Sequence, residues 1–278
     1  MTKIAIQGQA GSFHDIARLK LFPDSQLIVS DSFYGVFKKV LDNEADAGVV
    51  AIENSIYGSI NEVYDLLIKN SDIWITGEVY VHVKLSLLAN KGTKFEDLKT
   101  VRSHAVALEE AREFLRNSLP KISTEVATDT AVAAEDLANN PSPTQAVIGS
   151  TELAKRYDLE ILEENIEHVS ENYTRFISIS KQKDTAKNPN KTSIAMSLPE
   201  RPGSLYEALG LFAQREINLS KLTSRPVPEK AWQYVFYIDF EASLANALGV
   251  LDDLAVRGSN VTILGSYNST KQKPSIDE

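Results

Sequence analysis

Short apolar runs alternate with amphipathic stretches from the first residues onward. The runs Lys3 to Ile6, Leu27 to Val29, Ala47 to Ile52, Lys84 to Ala89 and Ala146 to Ile148 have the length and make-up of buried strands. Between them, Phe33 to Leu41, Ile60 to Ile68, Ala105 to Leu115 and Thr130 to Leu137 space apolar residues three to four apart, which predicts helices. Ser59, with Glu62 three residues on, reads as a capping box opening the second of these helices. Such alternation marks an α/β sheet.

The pattern stops between Lys181 and Lys191, a polar stretch with a single alanine. It reads as a linker over residues 182–190, dividing a body of residues 1–181 from a smaller unit of residues 191–268. That unit orders a strand (Thr192 to Leu198), a helix (Gly203 to Gln214), two strands (Asn218 to Arg225, Gln233 to Phe240), a helix (Leu244 to Arg257) and a strand (Val261 to Tyr267). This is the ferredoxin-like βαββαβ sequence of elements. Pro202 suits a helix's first turn and Arg257-Gly258 its stop, while the polar tail of residues 269–278 reads as frayed.

Length and charge narrow the partners. A chain of 278 residues can bury two cores. With 29 Lys plus Arg against 38 Asp plus Glu, a net charge of -9 and no basic run, nucleic acid is not an expected partner. An anionic ligand must therefore be held by local cations and helix N-termini. The absence of cysteine removes disulfides and thiolate sites, and His14, His82, His104 and His168 show no metal-ligand spacing, so no metal is expected. No signal-like or membrane-length apolar segment is visible, which makes the expected location cytoplasmic, with no membrane partner.

Four junctions share one theme, an apolar strand ending in small or hydroxyl residues that open a helix. They are Gly8 to Phe13, Glu53 to Ser59, Arg102-Ser103-His104 and Gly149-Ser150-Thr151. In an open α/β sheet such junctions line a crevice where backbone N–H groups favour carboxylates, and they serve equally as plain N-caps. Gly8-x-x-Gly11 lacks the three spaced glycines of a dinucleotide fingerprint. His104 reads either as a functional group or as an exposed first-turn residue. In Asn172-Tyr173-Thr174-Arg175-Phe176, Arg175 offers a bidentate grip for a carboxylate or is simply a surface cation.

As an ordered set, Gly8-x-x-Gly11-Ser12-Phe13, Ile52-Glu53-Asn54-Ser55-x-x-Gly58, Ser103-His104, Thr174-Arg175-Phe176, Arg201-Pro202-Gly203-Ser204-Leu205 and Ser224-Arg225-Pro226 resemble monofunctional prephenate dehydratase. The resemblance extends essentially to Tyr267. It implies a two-lobed, periplasmic-binding-protein-like body followed by an ACT domain. It also implies a carbon-oxygen lyase that converts prephenate to phenylpyruvate without a cofactor, releasing carbon dioxide and water. On the family pattern Thr174 donates or relays the proton to the departing hydroxyl, Phe176 shapes the pocket, and Arg175 binds a carboxylate or braces the loop. Ser12, Asn54, Ser55 and Ser103, with His104, are the implied substrate-positioning residues. Gly203, Ser204, Leu205, Ser224, Arg225 and Pro226 are implied to bind the feedback effector L-phenylalanine at a subunit interface of a homodimer or homotetramer. The alternatives are arogenate as substrate, or a sensor without catalysis. Departures from the common pattern fall at His14, Ala51, Ala105-Val106, Ser204 and Thr223.

Overall fold

The computed structural model describes residues 1–183, 186–227 and 230–270, and in it the apolar runs assemble into three sheets. The chain begins with β1 (Lys3–Gln7), α1 (Phe13–Leu21), β2 (Gln26–Ser30), α2 (Phe33–Leu41), β3 (Ala47–Asn54), the short β4 (Gly58–Ser59), α3 (Asn61–Lys69) and β5 (Trp74–His82). It then leaves to build a second lobe from β6 (Ser86–Ala89), β7 (Thr100–His104), α4 (Ala105–Glu110), α5 (Arg112–Ser118), β8 (Ser123–Ala127), α6 (Thr130–Asn139), β9 (Gln145–Gly149), α7 (Thr151–Tyr157) and β10 (Glu160–Glu164). Finally β11 (Tyr173–Ser180) returns to the first sheet, antiparallel to both neighbours, giving the order β2-β1-β3-β11-β5 with β4 beside β3. The second sheet runs β10-β6-β9-β7-β8. Two crossings between lobes, before β6 and before β11, make this a periplasmic-binding-protein-like body. Ile4, Ala5 and Ile6 are all fully buried, because helices cover both faces of the first sheet. That is why β1 reads as a continuous apolar run.

A third sheet follows, built from β12 (Lys191–Ser197), α8 (Ser204–Ala213), β13 (Leu219–Val227), β14 (Lys230–Phe240), α9 (Leu244–Val256) and β15 (Asn260–Tyr267) in the order β13-β14-β12-β15. Alternation along its strands serves two cores. Ile194, Met196, Ile238 and Phe240 pack under α8 and α9, whereas Ala195, Tyr237, Leu264 and Tyr267 join Ile75, Ile177 and Ile179 of the first lobe. The contact between sheets is close: a Cβ on Gly265 would lie 2.1 Å from the Ile75 carbonyl oxygen.

Several local expectations change. Ser59 does not cap α3, whose N-cap is Ile60 without a side-chain bond; the Ser59 hydroxyl instead accepts from Lys221 Nζ at 2.9 Å. The helix read from Ala105 to Leu115 breaks at Ala111. The Glu110 carbonyl that would continue it accepts from the His168 backbone N–H at 2.9 Å. Pro202 precedes the N-cap of α8, which is Gly203, rather than occupying the first turn. Ser269 and Thr270, read as frayed, bond Glu78 at 2.6 and 3.1 Å; residues 271–278 lie outside the described residues.

Candidate active site

The two crossings bring strand ends of both lobes around a cavity of about 390 Å³, in the ~300–1,000 Å³ range of small-molecule sites. Gln7, His14, Asn54, Tyr57, Thr174 and Phe176 line it from the first lobe, and His104, Val106, Glu110, Thr128, Asp129 and Thr130 from the second. The period of two along β11 sends Thr174 and Phe176 into the cavity and Arg175 to the opposite face. On β3, Ala51 and Asn54 both reach the cavity although three positions apart. The pairing of Arg175 with Glu53 and Phe176 with Ala51 skips Ile52, and this bulge turns Asn54 inward.

Asn54 holds Thr174 in place. Its Nδ2 donates to Thr174 Oγ1 at 3.0 Å and to Asn172 Oδ1 at 2.7 Å, and its Oδ1 accepts from the backbone N–H groups of Ile56 and Tyr57 at 2.8 and 3.0 Å. All four capacities of the amide are used within the protein, so Asn54 positions Thr174 instead of serving as a free substrate donor. Because Thr174 Oγ1 already accepts from Asn54, its own hydroxyl hydrogen is left to point at a ligand.

The cavity wall is acidic and carries no lysine or arginine among the described lining residues. Burial raises the Glu110 carboxyl above the usual range, opposed by the nearby Asn172 amide and His168. Burial likewise raises Asp129, against the Ala131 N–H that it caps at 2.7 Å. Positive ends are supplied by α1 and α6, both of which begin at the cavity. His14, set among Phe33 and Phe176, has its pKa pulled down to about 4 by burial and is therefore a neutral imidazole at pH 7. Its Nε2 lies 3.4 Å from the Ala51 N–H.

Gly8 and Gly11, both at positive φ, are where the lobes meet. A Cβ on Gly8 would fall 2.7 Å from Asp129 Oδ2 and one on Gly11 2.7 Å from a Leu153 methyl. The glycines serve this contact.

Of the residues expected at the site, Thr174, Phe176, Asn54 and His104 reach the cavity, with His104 also capping α4 through Nδ1. The others have structural partners. Ser12 caps α1, the Ser103 hydroxyl donates to the Ile148 carbonyl at 2.7 Å, and Ser55 ties Tyr173 N and Glu171 O across the returning crossing. Arg175 does not meet the cavity. It is 3% exposed, donating to Glu78 at 2.6 Å, Asp239 at 2.5 Å and Tyr267 Oη at 2.9 Å, while Lys191 Nζ reaches Glu78 at 2.9 Å. This neutral set of two cations and two carboxylates joins the first sheet to the third. His14, Glu110 and Thr128 to Thr130 were missed. The last are a fifth strand-to-helix junction of the kind already recognised, while His14 and Glu110 carry no such local signal.

In the third module, Gly203 takes a left-handed φ of 85° at the start of α8. With Ser204 and Leu205 it lines a second, open cavity of about 380 Å³, which Tyr206, Tyr234 and Phe236 also line. Ser224, Arg225 and Pro226 do not line it. They lie on edge strand β13, where Ser224 pairs with Phe236 and Arg225 bonds Asp65 of α3 at 2.8 Å. Within one chain the two expected effector segments are not joined.

A two-lobed α/β body with its cavity at the interlobe strand ends, joined to a βαββαβ module, defines the class as a small-molecule enzyme of modular build. The prephenate dehydratase family model matches residues 4–184. The chain is similar to the prephenate dehydratase of Lactococcus lactis subsp. cremoris, at 34% identity over 96% of this chain and 97% of the relative. It is also similar to arogenate dehydratase/prephenate dehydratase 1, chloroplastic, of Arabidopsis thaliana, at 38% identity over 95% of this chain and 71% of that one. Among solved structures, the prephenate dehydratase of Arthrobacter aurescens in complex with L-Phe superposes with a TM-score of 0.83 at 28% identity, covering 96% of this chain and 90% of that one. A protein described as a quorum-quenching acylase, GqqA, superposes with a TM-score of 0.85, also at 28% identity, over 96% of this chain and 98% of its own. The chain belongs to the prephenate dehydratase family. It is an enzyme of the lyase type, and no helix among the described residues is long and apolar enough to cross a membrane.

Proposed function

We propose that the chain converts prephenate to phenylpyruvate in L-phenylalanine biosynthesis, and that its third module is an ACT domain through which phenylalanine inhibits it. The observation that carries the catalytic half is Thr174, held by Asn54 with its hydroxyl hydrogen left for a ligand, beside a partly apolar cavity between the lobes. Aromatisation of the ring drives the reaction. The protein needs only to bind the dianion at helix N-termini, exclude water and place a donor at the departing hydroxyl. A cytoplasmic location belongs to the same proposal.

A second reading, arogenate as substrate, is favoured by one feature. Arogenate bears an ammonium where prephenate has a keto oxygen, and Asp129, beside Gly8, is a cavity carboxyl able to receive it. Assay of aromatic product from each compound, with and without phenylalanine, decides. A higher kcat/KM on arogenate reverses the substrate assignment, and no turnover of either sinks both readings.

For regulation, the support is placement. The third sheet rests on the outer face of the strands whose inner face carries Asn54 and Thr174. Lys221 of β13 bonds Glu53, next to Asn54, at 2.5 Å, and Asp239 of β14 bonds Arg175, next to Thr174. Because Ser224 to Pro226 stand outside the Gly203 cavity, the effector site of this proposal is completed by a second copy of the chain, which makes the enzyme an oligomer.

A further inference from the structure

One buried acid lines the substrate cavity without a well-formed hydrogen bond at its Oε2. This is Glu110, which is 2% exposed; it faces the Asn172 amide, whose Nδ2 likewise lacks a well-formed bond. Leaving such groups poorly paired in a folded interior is costly. Both adjoin the substrate cavity, Glu110 by lining it and Asn172 through its bond to Asn54. Asn54 in turn holds Thr174, so the Glu110 carboxyl and the Thr174 hydroxyl are registered to each other through Asn172 and Asn54.

The elimination needs a proton that an alcohol cannot finally supply. In prephenate the bond from the ring to its carboxylate breaks, and that electron pair completes the aromatic ring. The carbon-oxygen bond to the ring hydroxyl breaks with its pair on oxygen, and one proton must arrive there for water to leave. Thr174 can hold the oxygen but is far too weak an acid to remain ionised afterwards. His14 is a neutral imidazole at pH 7. Asp129 is engaged as the cap of α6 and lies outside the Asn54 network.

On the reading of the cavity given above, we propose that Glu110 is the catalytic residue that protonates the departing hydroxyl, with Thr174 hydrogen-bonded to the same oxygen. The carboxylate formed is reprotonated by solvent after the products leave. Its surroundings favour the neutral form. Burial comes first, Glu167 acts in the same sense, and His168 and the Asn172 amide act against it. Tyr57 faces Glu110 from the β3–β4 turn, with Glu109 and Arg112 nearby, while His14, His104 and Asp129 complete the titratable lining. A bound dicarboxylate adds negative charge and raises the acid further.

The test is the pH profile of full-length wild type, E110Q and E110D on prephenate and on arogenate, with thermal melts confirming folding. We expect E110Q to lose at least ~10²-fold in kcat on the preferred substrate, the range of general acid catalysis. The wild-type decline of kcat at high pH should vanish in E110Q and persist, displaced, in E110D. Near-normal kcat in E110Q with the high-pH limb intact overturns the assignment. So does a loss confined to arogenate with prephenate turnover unchanged, which would make Glu110 an ammonium partner. If E110Q fails to fold, E110D decides: an undisplaced limb overturns the role. Wild-type turnover of neither compound is distinguishable from these, since it removes the proposed function itself.

Discussion

Thr174 and Arg175 are adjacent in sequence and belong to different parts of the machine. One peptide unit along a strand reverses the side chain, so Thr174 meets the cavity while Arg175 is spent on Glu78, Asp239 and Tyr267. Substitutions separate them. Thr174→Ala should lower kcat by about 10²-fold, the size of a lost positioned donor, with melting unchanged, and Thr174→Ser should restore much of the rate. Arg175→Ala should instead unfold the protein more readily by about 3–5 kcal/mol, because it strands buried carboxylates; denaturant titration reads this directly. Normal stability in Arg175→Ala would show the buried set to be dispensable.

At the scale of elements, the contact of β15 with β5 is decided by a missing side chain. Gly265 faces the Ile75 carbonyl at a distance where a Cβ would sit 2.1 Å from backbone oxygen, and neither strand is free to move in its sheet. Gly265→Ala should therefore separate the third sheet from the first. The expected result is a loss of stability of about 1–3 kcal/mol or more, of the order of other overpacked cores, read by thermal melts. A Gly265→Ala protein that melts like wild type would mean that the two sheets already slide apart. Helix starts were less legible than strands, because capping depends on partners distant in sequence. Ser59 has the right spacing for a capping box, but Lys221 of β13 claims its hydroxyl. The Glu110 carbonyl has the right neighbours for a continued helix, but His168 claims it.

For the whole molecule, the buried ionic set makes stability depend on pH. Burial alone would raise Asp239, but Arg175 and Lys191 outweigh it and hold its pKa below the ordinary value. A carboxylate lowered in the folded state contributes its stability in full above the unfolded pKa, ~3.9, and loses it as pH falls through the folded value. Asp239→Asn should thus be less stable than wild type near neutrality, with the difference shrinking below about pH 4; melts across pH 2–7 check it. Phenylalanine, on the proposed regulation, should raise Tm and lower turnover, and Gly203→Val should abolish both effects. A phenylalanine-linked Tm shift that survives in Gly203→Val would place the effector elsewhere.

The sequence by itself held the α/β alternation and the βαββαβ order, and it pointed to a break before residue 191 and to Thr174, Phe176, Asn54 and His104, which line one cavity. The first three are written in local periodicity, and the site residues in the ordered motifs that resemble the prephenate dehydratase family. Only the tertiary structure decided that Ser12, Ser55 and Ser103 are bonded to backbone, that Arg175 faces the third sheet, and that His14, Glu110 and Asp129 share a wall with Thr174. The reason is physical. Whether a polar group is free for chemistry depends on which donors and acceptors surround it, and here those come from segments up to 192 residues away, as in the bond from Thr270 to Glu78.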